Sequence, residues 1–307
     1  MNQKYEQLFV IGCPRSGTTF LSKLLSNTRF GKPYETHFIP QILDEFDNNI
    51  VLSSAEFKRA FKKIIEERSM RQYAVNVEAD KVYNDIEKAT LYNLINHLAL
   101  QATANHKSAW GDKTPWYATK IQQLSDFFPK AKFIYIKRDP RAVTASLLKK
   151  DWAPKNAYCC AKLWVDHNSI PSELSRALKS ENRLHEVRYE DIVKDPVSCL
   201  LDIYSFIGEP KYQIEPESIE QLTKNDNNDK WKTQLSKGDL DAIENVCWEK
   251  MALFQYQCIN HNFPKISFIK ASYFKLQNAI LRFIYLVKLN TFHAFLIKTG
   301  RKEPFDE

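Results

Sequence analysis

Leu8-Phe9-Val10-Ile11-Gly12-Cys13-Pro14-Arg15-Ser16-Gly17-Thr18-Thr19 is the stretch that decides the fold. Leu8 to Ile11 is a short continuous apolar run, the pattern of a strand buried on both faces. After the loop, Phe20, Leu21, Leu24 and Leu25 recur at helical spacing. Of only 7 glycines in the chain, Gly12 and Gly17 frame this one loop. Without a Cβ, backbone N–H groups can turn inward around an anion, and the following helix aims its N-terminal amides at the same spot. Strand, glycine-framed loop and helix together predict a phosphate cradle.

Working outward, Ala131 to Lys137 reads as a second buried strand followed by a helix over Ala142 to Lys150. His185 to Tyr189 reads as a third strand, with a helix from Pro196 to Ile207 stopped by Gly208. Residues 41–110 read mostly as helices, Leu240 to Phe254 as another, and Asn225 to Asp229 as a polar loop. Short strands alternating with long helices predict an α/β, P-loop-containing nucleotide-binding fold, a short parallel sheet flanked by helices. The expected division is a domain over 1–262 and a basic, aromatic-rich helical tail over 263–307.

Composition excludes several classes. With 307 residues, 44% hydrophobic and 26% charged, the chain is neither disordered nor of low complexity. The net charge of +7 suits a polyanionic ligand or an anionic surface. The 6 cysteines form no C-x-x-C pair and no zinc-type cluster, so they read as reduced core thiols. No apolar h-region opens the sequence and no run approaches the ~20 apolar residues of a membrane span. A cytoplasmic protein is expected, with no nucleic-acid partner.

Gly12 and Gly17 have Walker A spacing, but Thr18 stands where a kinase needs Lys, and the loop's cation is Arg15. The run Cys13 to Thr19 resembles the 5′-phosphosulfate loop of sulfotransferases that use 3′-phosphoadenosine-5′-phosphosulfate (PAPS). It is most similar to the tyrosylprotein enzymes and the related bacterial branch. Arg138, in Arg138-Asp139-Pro140-Arg141, and Ser146 resemble that family's 3′-phosphate site. Tyr189, in Val187-Arg188-Tyr189-Glu190-Asp191, is similar to a Tyr beside its nucleotide, and Trp231-Lys232 to its covering loop. The resemblance spans residues 8–256. It implies that Arg15, Ser16, Gly17, Thr18, Thr19, Arg138, Ser146, Tyr189 and Lys232 bind the co-substrate PAPS, without a metal.

The resemblance also implies chemistry. Arg15, and Lys113 in Trp110-Gly111-Asp112-Lys113-Thr114-Pro115, stabilise charge at the transferred group. For the base, Tyr34-Glu35-Thr36-His37 offers two candidates: Glu35 matches the tyrosylprotein branch, and His37 the His-using aryl branch. Glu35 is preferred because its neighbours match the closer branch. The expected function is metal-independent, in-line sulfuryl transfer to a hydroxyl of a glycan, lipid-linked sugar or small alcohol, with residues 41–110 and the loop Asp151-Trp152-Ala153-Pro154 on the acceptor side. A P-loop kinase or NTPase is the alternative enzyme; a catalytically inactive, membrane-associated nucleotide binder is the alternative outside catalysis.

From Met251 to Lys302 there is no Asp or Glu, while Lys270, Lys275, Arg282 and Lys288 are interleaved with aromatic and aliphatic residues. This fits a helix over 263–302 lying peripherally on an anionic membrane, at the inner face in a cytoplasmic protein, or a helix packed on the domain or on a second subunit. At about 100° per residue Lys270 and Lys288 share one direction, whereas Lys275 and Arg282 point away from it. The polar face is not clean, and oligomeric state is not legible.

Overall fold

The computed structural model describes residues 5–47, 50–72, 77–103, 108–210, 229–259 and 266–298. Four strands, β1 (Glu6–Gly12), β2 (Ala109–Asp112), β3 (Lys132–Lys137) and β4 (Leu184–Arg188), form one all-parallel sheet in the order β2-β1-β3-β4. β1 has a hydrogen-bonded neighbour on each edge, and its side chains feed two cores. Phe9 and Ile11 join Phe133 and Tyr135 on one face; Leu8 and Val10 join Ile134 and Ile136 on the other. Apolar surroundings on both faces are why the strand reads as an unbroken run.

The first core is closed by α2 (Ile39–Glu45), α3 (Ser54–Ile65), α4 (Arg68–Gln72), α5 (Ala79–Asp85), α6 (Leu91–Ala102), α7 (Ile121–Phe127) and α10 (Ser172–Ser180). The second is closed by α1 (Thr18–Leu24), α11 (Tyr189–Lys194) and α12 (Pro196–Ile207). α12 has the expected limits: Pro196 opens it and Gly208 ends it in the left-handed conformation, φ 78°.

The chain forms two compact units, Met1–Arg138 with His167–Asp226, and Asp139–Asp166 with Asn227–Glu307. The second unit contains α8 (Pro140–Leu147), α9 (Ala157–His167) up to Asp166, α13 (Trp231–Gln234), α14 (Lys237–Leu253) and α15 (Phe268–Lys298). Within it, Arg141 pairs with Asp139 at 2.6 Å and with the buried Glu244 at 3.0 Å, under the ring of Trp231. The expected domain–tail boundary at 262–263 and residues 225–228 of the polar loop lie outside the described residues.

Two expectations are corrected. No strand is expected in or just after the mostly helical segment 41–110, yet Ala109–Asp112 form strand β2, which includes Gly111 and Asp112. α8 begins earlier than Ala142, because Asp139 caps the Arg141 amide at 2.8 Å and Pro140 fits the first turn.

Phe9 sits within 5.4–5.6 Å, centroid to centroid, of Phe133, Phe128 and Trp110. Phe9→Ala opens a cavity at the sheet centre, and urea unfolding is expected to show a loss of about 3–5 kcal/mol.

Candidate functional site

β1 ends at Gly12, where a Cβ would lie 2.5 Å from the Ile136 carbonyl oxygen. The loop then turns back, the Ser16 amide donating to the Cys13 carbonyl at 3.1 Å. Arg15 and Gly17 both take positive φ, 74° and 98°. A Cβ on Gly17 would meet the Tyr189 ring at 2.3 Å, so glycine is required by conformation and by space. Ser16 and Thr18 are buried, whereas Arg15 and Thr19 are exposed. The Ser16 hydroxyl has no hydrogen-bond partner among the described residues.

Arg138 follows β3 and is buried. Its guanidinium lies 4.0 Å above the Tyr189 ring, and Nη1 donates to the Arg15 carbonyl at 3.2 Å. The two arginines of Arg138-Asp139-Pro140-Arg141 therefore part company. Arg141 sits in an ion-pair cluster with Asp139 and Glu244 in the second unit, and Arg138 turns to the loop. Glu190 and Asp191 occupy the first turn of α11, the favourable end of the helix dipole.

The second cluster joins two loops of the first unit. Tyr34 makes a parallel bridge to Asp112, the last residue of β2, bringing Glu35 against Lys113. Lys113 is not a solvated lysine: its side chain is 10% exposed, it pairs with Glu35 Oε1, and its Nζ donates to Thr19 Oγ1 at 3.4 Å. On its other oxygen Glu35 meets His37 Nε2 at 2.8 Å. The Trp116 indole donates to His37 Nδ1 at 3.0 Å. With Nδ1 accepting, the proton of the neutral imidazole sits on Nε2 and is donated to Glu35. His37 takes this position with φ 58°, a conformation costly for a residue with a Cβ.

Burial pushes the Glu35 carboxyl up, but hydrogen bonds from His37 and Lys113, with the charges behind them, outweigh it and hold the group at about 2. The hydrogen bond to Glu35 raises the His37 imidazole, burial opposes this, and the Trp116 donor resists protonation at Nδ1. Beneath the pair lies Asp112, fully buried. It accepts from the Thr36 amide at 3.0 Å, the Thr114 amide at 2.8 Å and the Thr114 hydroxyl at 3.1 Å. Burial raises its pKa to about 6 against those donors.

The first unit thus gathers Arg15, Ser16, Gly17, Thr18, Thr19, Glu35, Lys113, Arg138 and Tyr189. Ser146, on α8, and Lys232, on α13, belong to the second unit. There Lys232 is exposed and pairs with Asp229 at 2.9 Å. Asp112 and Trp116 are the supporting residues that sequence reasoning missed. The acid in Trp110-Gly111-Asp112-Lys113 was a legible signal for the first; nothing local marks the second.

A model of the sulfotransferase family matches residues 7–213. A protein-tyrosine sulfotransferase of Danio rerio is 25% identical over 217 residues, covering 68% of this chain and 55% of that protein. An omega-hydroxy-beta-dihydromenaquinone-9 sulfotransferase of Mycobacterium tuberculosis is 30% identical over 107 residues, covering 31% and 28%. The chain thus spans about half, or less, of these curated relatives. The solved sulfotransferase domain of the Synechococcus PCC 7002 olefin synthase superposes with a TM-score of 0.58 at 20% identity, covering 84% of this chain and 98% of that domain. That likeness shows the fold.

Asp112→Ala would strand the buried Thr114 amide and leave the Thr36 amide only its 3.1 Å bond to the Thr114 hydroxyl. A loss of about 3 kcal/mol in urea unfolding is expected, together with loosening of the Glu35–Lys113 pair.

Proposed function

The chain belongs to the sulfotransferase family, and we propose that it moves a sulfuryl group from PAPS to an acceptor hydroxyl, with Glu35 as general base. The observation carrying this reading is the buried Ser16 hydroxyl, left without a partner among the described residues in a glycine-framed loop. Such a group costs about 1–3 kcal/mol unless something satisfies it. A phosphate oxygen would, and the missing Cβ of Gly17 lets the Tyr189 ring pack against the loop. The residues fit the co-substrate: Arg15, Ser16, Thr18 and Thr19 would hold its 5′-phosphosulfate, and Arg138 its 3′-phosphate, with Tyr189 fixing the guanidinium plane. The resemblance assigns Ser146 and Lys232 to the nucleotide too, and that assignment belongs to the proposal.

The co-substrate supplies the sulfuryl group, and an electron pair departs with its phosphate oxygen. Glu35 takes the proton of the acceptor hydroxyl as the new O–S bond forms. Arg15 and Lys113 supply positive charge where the departing pair collects. Held by Lys113, Glu35 is ionised but a feeble base. Lys113 already reaches Thr19 in the loop, so an anionic group there draws the ammonium away from Glu35. The carboxylate then loses a cation and its proton affinity climbs toward what burial imposes. His37, with one nitrogen on Glu35 and the other on Trp116, serves as a positioning residue rather than the base.

Relatives named for a protein tyrosine and for an omega-hydroxy menaquinone support a hydroxyl-bearing acceptor here. A glycan, lipid-linked sugar or small alcohol, taken up in the cytoplasm without metal, is the class we propose.

Calorimetry with adenosine 3′,5′-bisphosphate in the absence of Mg²⁺, beside Mg-ATP, tests the reading. Metal-free binding should weaken by about 10–100-fold in Arg138→Ala. In turnover with PAPS and an accepted alcohol, Glu35→Gln should lose about 10²–10⁴-fold in kcat. Preference for Mg-ATP, or indifference to Arg138, would overturn it.

A further inference from the structure

The second unit ends in α15, a helix of 31 residues, about 46 Å long at the standard rise. One side of it is packed. The Asn156 amide donates to the Phe274 carbonyl at 2.7 Å, and the Lys155 backbone amide to Asn278 Oδ1 at 2.7 Å. Phe274 stacks on Tyr158 at 5.3 Å, and Lys155 lies 5.0 Å from the Tyr285 ring. On a wheel of about 100° per residue, Phe274, Asn278 and Tyr285 define one direction. Lys270 and Lys288 lie about 60° to one side of it, Lys275 and Arg282 about 60–80° to the other.

The remaining arc of about 220° carries no charged residue from Phe268 to Ile297; Lys298, the last residue of the helix, falls within it. Ile269, Tyr273, Leu276, Ile280, Phe283 and Ile284 lie on it, all exposed, Ile269 at 80%, Leu276 at 62% and Phe283 at 67%. The cations that disagreed as a single polar face are therefore two rows bordering a wide apolar face, because the middle of the polar side is spent on packing. Flexible cationic side chains on both borders of an apolar face are placed to snorkel toward headgroups while the face enters the acyl boundary.

We propose that this face of α15 docks on an anionic lipid bilayer. Charge selects the occupant. No Asp or Glu occurs between Met251 and Lys302, so a second copy of the face would bring its cationic borders against those of the first with no acid to pair them. An anionic headgroup layer complements the borders and the apolar arc together. Among the described residues no helix is long and apolar enough to cross a membrane, so α15 lies on the surface. None of these residues belongs to the transfer site, and the inference stands apart from the proposed chemistry.

The test is flotation of the full chain with vesicles of phosphatidylcholine alone and of phosphatidylcholine mixed with phosphatidylglycerol, with sedimentation velocity in parallel. Wild type should float with the anionic vesicles and bind neutral ones at least about tenfold more weakly. Leu276→Glu/Phe283→Glu should stay in the aqueous layer. Lys270→Glu/Lys288→Glu, which leaves the apolar face intact, should weaken anionic binding by about tenfold or more and decides the matter if the first pair lowers the unfolding midpoint. Wild type that ignores anionic vesicles, charge reversal without effect, or a wild-type dimer that Leu276→Glu/Phe283→Glu converts to monomer in the absence of vesicle binding would each overturn the proposal.

Discussion

A fully buried carboxylate holds the candidate site together. Asp112 is the last residue of β2, in register with Phe9 of the central strand, and its three donors come from the loops that carry Glu35 and Lys113. Removing an acid from water is costly, and three hydrogen bonds from fixed groups offset much of that cost only while both loops stay where they are. The arrangement is therefore mutual: the loops satisfy Asp112, and Asp112 fixes their separation. The Glu35–Lys113 contact rests on this frame and not on the side chains' own preference, since an isolated ion pair of this kind contributes little.

The same frame connects fold to chemistry. A parallel sheet delivers its loops at the carboxyl ends of its strands. β1 delivers the glycine-framed loop, β2 Lys113, β3 Arg138, and β4 leads into Tyr189. Tyr189 touches both the Gly17 turn and the Arg138 guanidinium, tying the loop to the neighbouring strand end. Lys113, reaching Glu35 and Thr19 alike, couples the carboxylate to whatever charge occupies the loop. Fixed charges of this kind act strongly because Lys113 is shielded from water.

What the sequence made legible follows from locality. β1 and β3 are buried on both faces and announce themselves as apolar runs; Gly208 marks a helix end whatever surrounds it. The loop was legible because Gly12 and Gly17 are scarce residues in a demanding conformation. β2 was not: four residues containing Gly111 and Asp112 carry no pattern, and they become a strand through pairing with β1, about 100 positions away. The Trp116–His37 bond likewise joins residues 79 positions apart, so no spacing rule reaches it. The tail stayed open for a physical reason: a helical wheel read without its packing partner cannot tell a packed polar side from a ragged one. Arg138 and Arg141 look alike in sequence, and their partners distinguish them.

The central claim is that Lys113 holds Glu35 ionised and releases it when an anion draws the ammonium away. Its most direct test is a titration of the Glu35 carboxyl, followed by ¹³C NMR, in wild type and in Lys113→Met. Wild-type Glu35 should stay ionised from neutral pH down to acid unfolding, in keeping with a value of about 2, and the variant should titrate at distinctly higher pH because burial then meets one fewer opposing partner. An ordinary glutamate inflection in wild type, left in place by the substitution, would contradict the account.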